Sequence, residues 1–372
     1  MESIIKQGDE DDGMEDTSSS SSSTCTMTTS HDQDMTCAYQ DEILVGILGG
    51  VGPAAGVLLH SIILNHTQNN GHDQGHLSIC HLSRSNDTSD RTDYLLSSHQ
   101  ETLCNPAQGM SRTLAMMNAT LTTSSSPSYA VAGVPCNTFH AAPIWNEFKR
   151  LAKIQNNSIK LLHMLEETML MIQDIDPKVT KIGLMSTTGT RQARVYQQLL
   201  EPMGYEILQV SDNVQCDLHD TIYNQVWGIK ATAPAITPRA VNNFIEYATM
   251  LEKRGAEVII MGCTEIPFAF VGQDRINEAI LIDPMVALGR ALIREASPTQ
   301  LKPLEVTTHD VPFTEVLPKS KSFDAWKMTK ALGPLSQRTR PRGATGGNKE
   351  AEQPLGWRLF DFYSGYVAMS TG

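Results

Sequence analysis

Apolar residues in this chain gather into short continuous runs, and the runs that read as strands end on small or turn-forming residues. Ile43–Leu48 (ILVGIL) reads as a strand. Gly49-Gly50-Val51-Gly52 closes it as a tight turn, and Pro53 suits the first position of a helix reaching about Asn65. His76–Leu82 reads as a second strand with the polar loop Ser83–Thr92 at its outlet, and Asn105–Thr120 as a helix. A Ser-rich turn leads to a third strand, Tyr129–Val134. Beyond Pro143 a long helical region, broken near Asn156-Asn157, resumes to Ile175.

The opening pattern then returns. Lys181–Met185 is an apolar strand, Ser186–Thr190 a Gly/Thr turn and Arg191–Met203 a helix; Tyr205–Val210 is the next strand, Val241–Lys253 a helix and Glu257–Met261 a strand. Each half therefore runs strand, small-residue turn, helix, strand, loop, helix, strand, and each last strand delivers a cysteine: Cys136 in VPCNT and Cys263 in MGCTE. Two similar units of this kind predict an α/β protein with two parallel-sheet domains. The short strand Ile280–Ile282 and the helix Met285–Arg294 are assigned to complete the first unit. The expected domains are 43–150 plus 275–297, and 151–274.

Composition changes the picture mainly at the ends. The net charge is −12, but eleven acidic residues against Lys6 alone lie between Met1 and Glu42, so the acidity belongs to a tail. That segment, 1–42, with its Ser18–Ser23 run, cannot bury enough apolar surface to offset chain entropy and is expected to be disordered. Residues 298–372 are read as an extension, largely disordered, with Gly, Arg, Pro and Gln enriched over Ser336–Pro354. No basic stripe suggests nucleic acid, and no apolar run approaches the roughly 20 residues that span a bilayer. Seven scattered cysteines without a C-x-x-C pair indicate a reduced compartment. A cytoplasmic address is expected, with plastid import as the minority alternative.

The two repeated cysteines carry the candidate chemistry. Functional crevices of parallel α/β sheets lie at the carboxyl ends of the strands, where both fall, each just ahead of an expected helix start that would lower its thiol pKa. One such thiol is a candidate nucleophile, with His140 as a possible imidazolium partner or simply packed. Two thiols in equivalent places suggest a thiolate that removes a proton from one face of a carbon and a thiol that returns one to the other, with no pyridoxal cofactor. Stripping the α-proton of an amino acid needs its carboxylate charge neutralised. Arg91, Lys230, the backbone N–H groups after each cysteine and the hydroxyls of Thr138 and Thr264 are the candidates. A single cysteine at a strand end is more often a small buried residue, and Cys25, Cys37, Cys80, Cys104 and Cys216 are read that way or as exposed.

At these residues the sequence resembles the cofactor-independent aspartate/glutamate racemase family over roughly Ile43–Arg294. The carriers are LGGVGP (48–53), with Val51 where Met is usual; Asp90-Arg91-Thr92; Cys136-Asn137-Thr138 with His140; STTGTRQARVYQQLL (186–200); IYNQVWGIK (222–230); and Gly262-Cys263-Thr264-Glu265. The resemblance implies two domains related by a pseudo-twofold, an active site in the cleft between them, and a homodimer. It implies Cys136 and Cys263 as acid/base residues, with Val51, Arg91, Asn137, Thr138, Lys230, Thr264 and Glu265 around an acidic amino-acid substrate. It also implies no metal and no cofactor. Glu265, in place of the histidine of bacterial glutamate racemases, points to the aspartate-type branch.

Three rival readings remain at this level. Gly50-x-Gly52-x-x-Ala55 fits the loose dinucleotide fingerprint, but the acid at the right distance, Asp73, precedes the second strand. Thiol-dependent isomerases or decarboxylases of small dicarboxylates share the architecture. A non-catalytic binder of acidic amino acids would need only the cations and not the paired cysteines.

Overall fold

The computed structural model describes residues 43–122, 129–233 and 235–304. The expected tail 1–42 and all of the extension beyond 304 lie outside them. Residues 298–304, which the extension was taken to include, are part of the folded body: Leu301 bridges Thr67, and the Gln300 amide donates to the Gly75 carbonyl (2.6 Å).

The first half builds a parallel four-stranded sheet. β1 (Ile43–Gly49) leads through the glycine turn into α1 (Pro53–His66), then β2 (Ile79–Ser83), α2 (Arg91–Leu96) and α3 (Pro106–Ala119). β3 (Tyr129–Gly133), α4 (Ala142–Ile154), β4 (Lys160–Leu162) and α5 (Met164–Ile175) follow, and the strand order is β2-β1-β3-β4. The expected helical region 144–175 is thus two helices with an edge strand between them. β4 pairs with β3 (Ala132 opposite Leu161), so the first unit extends past the expected boundary at 150.

The second half repeats the design with β5 (Lys181–Ser186), α6 (Thr188–Gln192), α7 (Val195–Leu200), β6 (Glu206–Leu208), α8 (Asp212–Tyr223), α9 (Ile229–Thr232) and α10 (Pro238–Lys253). It continues through β7 (Val258–Gly262), β8 (Arg275–Ile276), β9 (Ala279–Ile282) and α11 (Pro284–Ala296), with strand order β6-β5-β7-β9-β8. All its pairs are parallel except β8–β9. The helix expected over 191–203 is broken at Arg194, whose φ of 49° lies in the left-handed region.

Within 275–297, assigned to the first unit from sequence, strands and helix go to different sheets. β9 pairs with β7 in the second sheet (Ile259 opposite Leu281). α11 instead packs Met285, Leu288 and Leu292 onto Val45, Ile47 and Val131 of the first sheet, together with Leu59 and Ile63 of α1. Ala279–Ile282 is paired on both sides, by β7 and β8, while the helix that follows has an apolar stripe to bury. The opposite face of the first sheet is covered by α3 and α4 through Met110, Leu114, Ile144 and Phe148. The second sheet lies between α8 and α10 on one face, and α5 and α7 on the other.

In both sheets the first strand is flanked on one side by the second strand and on the other by the third. Each sheet therefore has a switch point at the carboxyl ends of its two central strands, β1 and β3 or β5 and β7. The glycine turn and Cys136 sit at one switch point, Ser186–Thr190 and Cys263 at the other. One glycine behind the first needs its lack of a side chain. A Cβ on Gly109 of α3 would stand 1.8 Å from the Asp87 carbonyl oxygen, in the segment leading to α2. Gly109→Ala is expected to lower the unfolding free energy by about 1–3 kcal/mol or more, read from urea denaturation midpoints, because backbone rather than a flexible side chain must move.

Candidate active site

Cys136 and Cys263 are both buried, and neither begins an α-helix. Cys136 precedes a single 3₁₀ turn, Asn137–His140, and Cys263 is separated by Thr264 and Glu265 from the 3₁₀ turn Ile266–Phe270. The expected lowering of a thiol pKa by a helix end does not occur at Cys263. Burial, then the neighbouring Glu265 carboxylate, pushes that thiol well above its ordinary value, with Lys230 acting against them.

Around Cys263 the partners are fixed in place. Its Sγ donates to Glu265 Oε2 (3.0 Å), which also accepts from Thr264 Oγ1 (3.0 Å), while Lys230 Nζ donates to Glu265 Oε1 (2.6 Å). Burial opposes the ionisation of Glu265, but the Lys230 charge and the donors from Lys230, Cys263 and Thr264 overcome it and hold the carboxyl below the usual range. Lys230 shows the complementary balance. Burial disfavours its charge, yet Cys263 and Glu265 raise its pKa. Gly52, in the turn after β1, approaches the same carboxylate, since a Cβ there would lie 3.9 Å from Glu265 Oε1.

Cys136 has a different environment. Arg91, at the first position of α2, is near enough to Cys136 for the two to influence each other electrostatically. Asp90 fixes that helix start by accepting from the Thr92 and Asp93 amides (2.7 and 2.9 Å). Burial works against the Arg91 charge, while Cys136 and Asp90 favour it and leave its pKa raised. His140 bonds through Nδ1 to the Cys136 carbonyl oxygen (2.8 Å), so Nδ1 carries the proton and the ring serves the backbone rather than the thiol. Burial, with His163 alongside, pushes the His140 pKa well below its ordinary value, and the ring packs against Trp145 with centroids 4.6 Å apart. Val51 is buried in the apolar cluster with Leu48, Tyr94 and Cys136, which makes it a wall rather than a polar contact.

Asn137 and Thr138 tie the first switch point to the second. Tyr196 of α7 donates its hydroxyl to Asn137 Oδ1 (2.5 Å), and Thr138 Oγ1 bonds to Thr190 Oγ1 (2.9 Å), which itself accepts from Thr187 Oγ1 (3.2 Å). The Tyr196 bond sets the amide orientation and leaves the buried Asn137 Nδ2 without a hydrogen-bond partner among the described residues, as is Arg91 Nε. These are donors available to an oxyanion.

Sequence reasoning gave no role to Tyr223, Tyr196 or Asp283. Tyr223 ends α8, stacks on His219 (4.8 Å between centroids) and has Lys230 Nζ 5.5 Å from its ring centre. Burial, then Cys263, pushes its hydroxyl up to about 12, and it also feels Cys136, so one neutral phenol is coupled electrostatically to both cysteines. Its place in IYNQVWGIK, seven residues before Lys230, was the available signal. Asp283 was hidden by being an ordinary helix cap: its Oδ1 accepts from the Met285 amide (2.8 Å) at the start of α11.

Among the described residues, no group of three or more His, Cys, Asp or Glu side chains is arranged to hold a metal ion. No helix among them is long and apolar enough to cross a membrane. An open groove of about 480 Å³ lies elsewhere, lined by Ala142, Pro143, Asn146, Glu147, Arg150 and Gln198. Its only cation, Arg150, is already paired with Glu147 (2.6 Å), so the chemistry belongs at the cysteines.

Comparison with known proteins bears on the family and the fold. Residues 48–292 match the family model described as Asp/Glu/Hydantoin racemase. A glutamate racemase of Desulforudis audaxviator is 26% identical over 113 residues, 30% of this chain and 38% of that protein. The matched segment thus spans well under half the length of this curated relative. Among solved structures, Picrophilus torridus aspartate racemase superposes with a TM-score of 0.53 at 19% identity, covering 68% of this chain and 94% of that one. A structure assigned as an Asp/Glu racemase from Yersinia pestis gives 0.51 at 20% identity, covering 68% and 99%. At these identities the superpositions speak for the fold.

Two outcomes follow from the buried groups. Tyr196→Phe keeps the ring but strands Asn137 Oδ1, and should cost about 1 kcal/mol of stability in urea denaturation. Burial pushes the Asp283 carboxyl up to about 7. Between the ordinary carboxyl range and that value the folded state holds a proton that the unfolded state has lost, so stability falls as pH rises through this window and levels off above it. Asp283→Asn, which keeps the cap, should flatten that slope in melting curves taken from pH 4 to 8.

Proposed function

This chain belongs to the Asp/Glu/Hydantoin racemase family, and we propose that it interconverts the L and D forms of aspartate, glutamate or both by proton transfer between Cα and two cysteines. The observation that carries this reading is the unequal pair of thiols at the two switch points. Cys136 has the Arg91 charge as its electrostatic neighbour, while Cys263 donates to Glu265.

The chemistry needs each part. Removing the α-proton places an electron pair on Cα that spreads into the carboxylate, and cations or N–H donors stabilise that charge as it develops. Arg91 and the unpartnered Asn137 Nδ2 are such donors, with the neutral Tyr223 phenol electrostatically coupled to both cysteines. Lys230 is committed to Glu265 in the substrate-free site, so its charge reaches a substrate only as part of that pair. A thiol on each side of Cα supplies one acceptor and one donor, and the carbon inverts when the proton returns on the opposite face. Support for the acidic amino acid comes from the family match and the Arg91 cation beside Cys136; the preference between aspartate and glutamate is left to experiment.

Purified protein incubated with either L-amino acid in heavy water, without added cofactor, should yield the D form with deuterium at Cα. Cys136→Ser and Cys263→Ser should each reduce racemisation by about 10²–10⁴-fold. Undiminished turnover in either variant would remove the two-cysteine assignment. Carbon dioxide release in place of inversion would indicate a decarboxylase, and binding without turnover a receptor for acidic amino acids.

A further inference from the structure

We propose that Glu265 is a positioning residue for proton transfer: its carboxylate holds Cys263 as the thiol, so that in the substrate-free site Cys263 carries a proton to be delivered. The role in turnover rests on the racemase reading above.

Geometry carries the assignment. Glu265 is 8% exposed, and its two oxygens serve three donors: Lys230 Nζ on Oε1, and Cys263 Sγ and Thr264 Oγ1 on Oε2. A carboxylate with that load presents little to a substrate, which sets it apart from Asn137 and Arg91 with their unpartnered N–H groups. Only a protonated Cys263 can donate to Oε2; a thiolate there would place two negative charges 3.0 Å apart in a buried site. Lys230 keeps Glu265 ionised and so keeps it an acceptor. The other titratable neighbours that sense Cys263 are the phenols Tyr223, from α8, and Tyr196, from α7, and burial raises the pKa of both hydroxyls. Neither can replace Glu265 as a negative charge at neutral pH.

The proton balance is closed. The Cys136 thiolate forms an S–H bond with the Cα proton, leaving the electron pair on Cα. The Cys263 S–H bond then breaks as its proton forms the new C–H bond on the other face. Turnover ends with Cys136 as thiol and Cys263 as thiolate beside Glu265, a charge placement that solvent protons or the reverse reaction must reset.

The test is the pH profile of iodoacetamide alkylation at Cys263, resolved by mass spectrometry, with a cysteine-containing peptide as reference. In the wild-type protein Cys263 should inflect well above the peptide. Glu265→Gln, which removes the charge but keeps the shape and leaves Lys230 uncompensated, should move that inflection down by about one unit or more. Wild-type Cys263 titrating like the peptide overturns the proposal even if the variant does not fold, and so does an unshifted inflection in a variant with native circular dichroism. The titration needs no substrate. If it behaves as expected while no deuterium enters Cα, the racemase reading fails and the thiol-holding role of Glu265 stands.

Discussion

A carboxylate buried beside a thiol is the constraint on which the rest of the site depends. Taken out of water, Glu265 would protonate or unfold its surroundings unless a cation and further donors stood against it. Lys230 supplies the cation from α9, thirty-five residues away in the chain. For Lys230 to arrive there, α8 ends at Tyr223, Gly228 begins the next turn, and the glycine turn after β1 stands in contact range of Glu265. One charge pair therefore ties together two segments of the second unit, with the glycine turn of the first standing against it.

The two sheets meet through polar contacts as specific as the charge pair. Tyr196 to Asn137 and Thr190 to Thr138 are side-chain bonds between one switch point and the other, among residues almost wholly excluded from water. Buried polar contacts are costly when mismatched, so they fix the relative register of the two units more strictly than apolar packing does. His140 works on a smaller scale. By bonding the Cys136 carbonyl it sets the backbone of the thiol, not its proton.

Much of this was legible in the sequence, for identifiable reasons. Continuous apolar runs such as Ile43–Leu48 and Val258–Gly262 mark strands covered on both faces, and the cysteines that end the third and seventh strands are visible as a repeat. β4 was lost because Lys160–Leu162 is too short to separate from the helical pattern on either side. α8 was lost because Asp212–Tyr223 buries only a narrow stripe that includes Gln215 and Thr221 among its few apolar residues. The break at Arg194 depends on a left-handed residue that is not glycine. In the site, Glu265 was found as a neighbour of Cys263 but assigned to substrate. Its bond to Lys230 was not foreseen, because no local pattern announces a contact of that separation.

The late segment Ala279–Ala296 has a consequence for how the molecule is made. β9 closes onto the second sheet, whereas α11 lays its apolar stripe on the first. As the chain leaves the ribosome, the first sheet is complete once β4 has emerged, yet one of its faces lacks α11 until the whole second unit has followed. Val45, Ile47 and Val131 have only the partial cover of α1 and α5 through that interval, so the first unit cannot finish its core before the second has been made. The same crossing means that neither half can be released from the other by a single proteolytic cut between the sheets without exposing an apolar face.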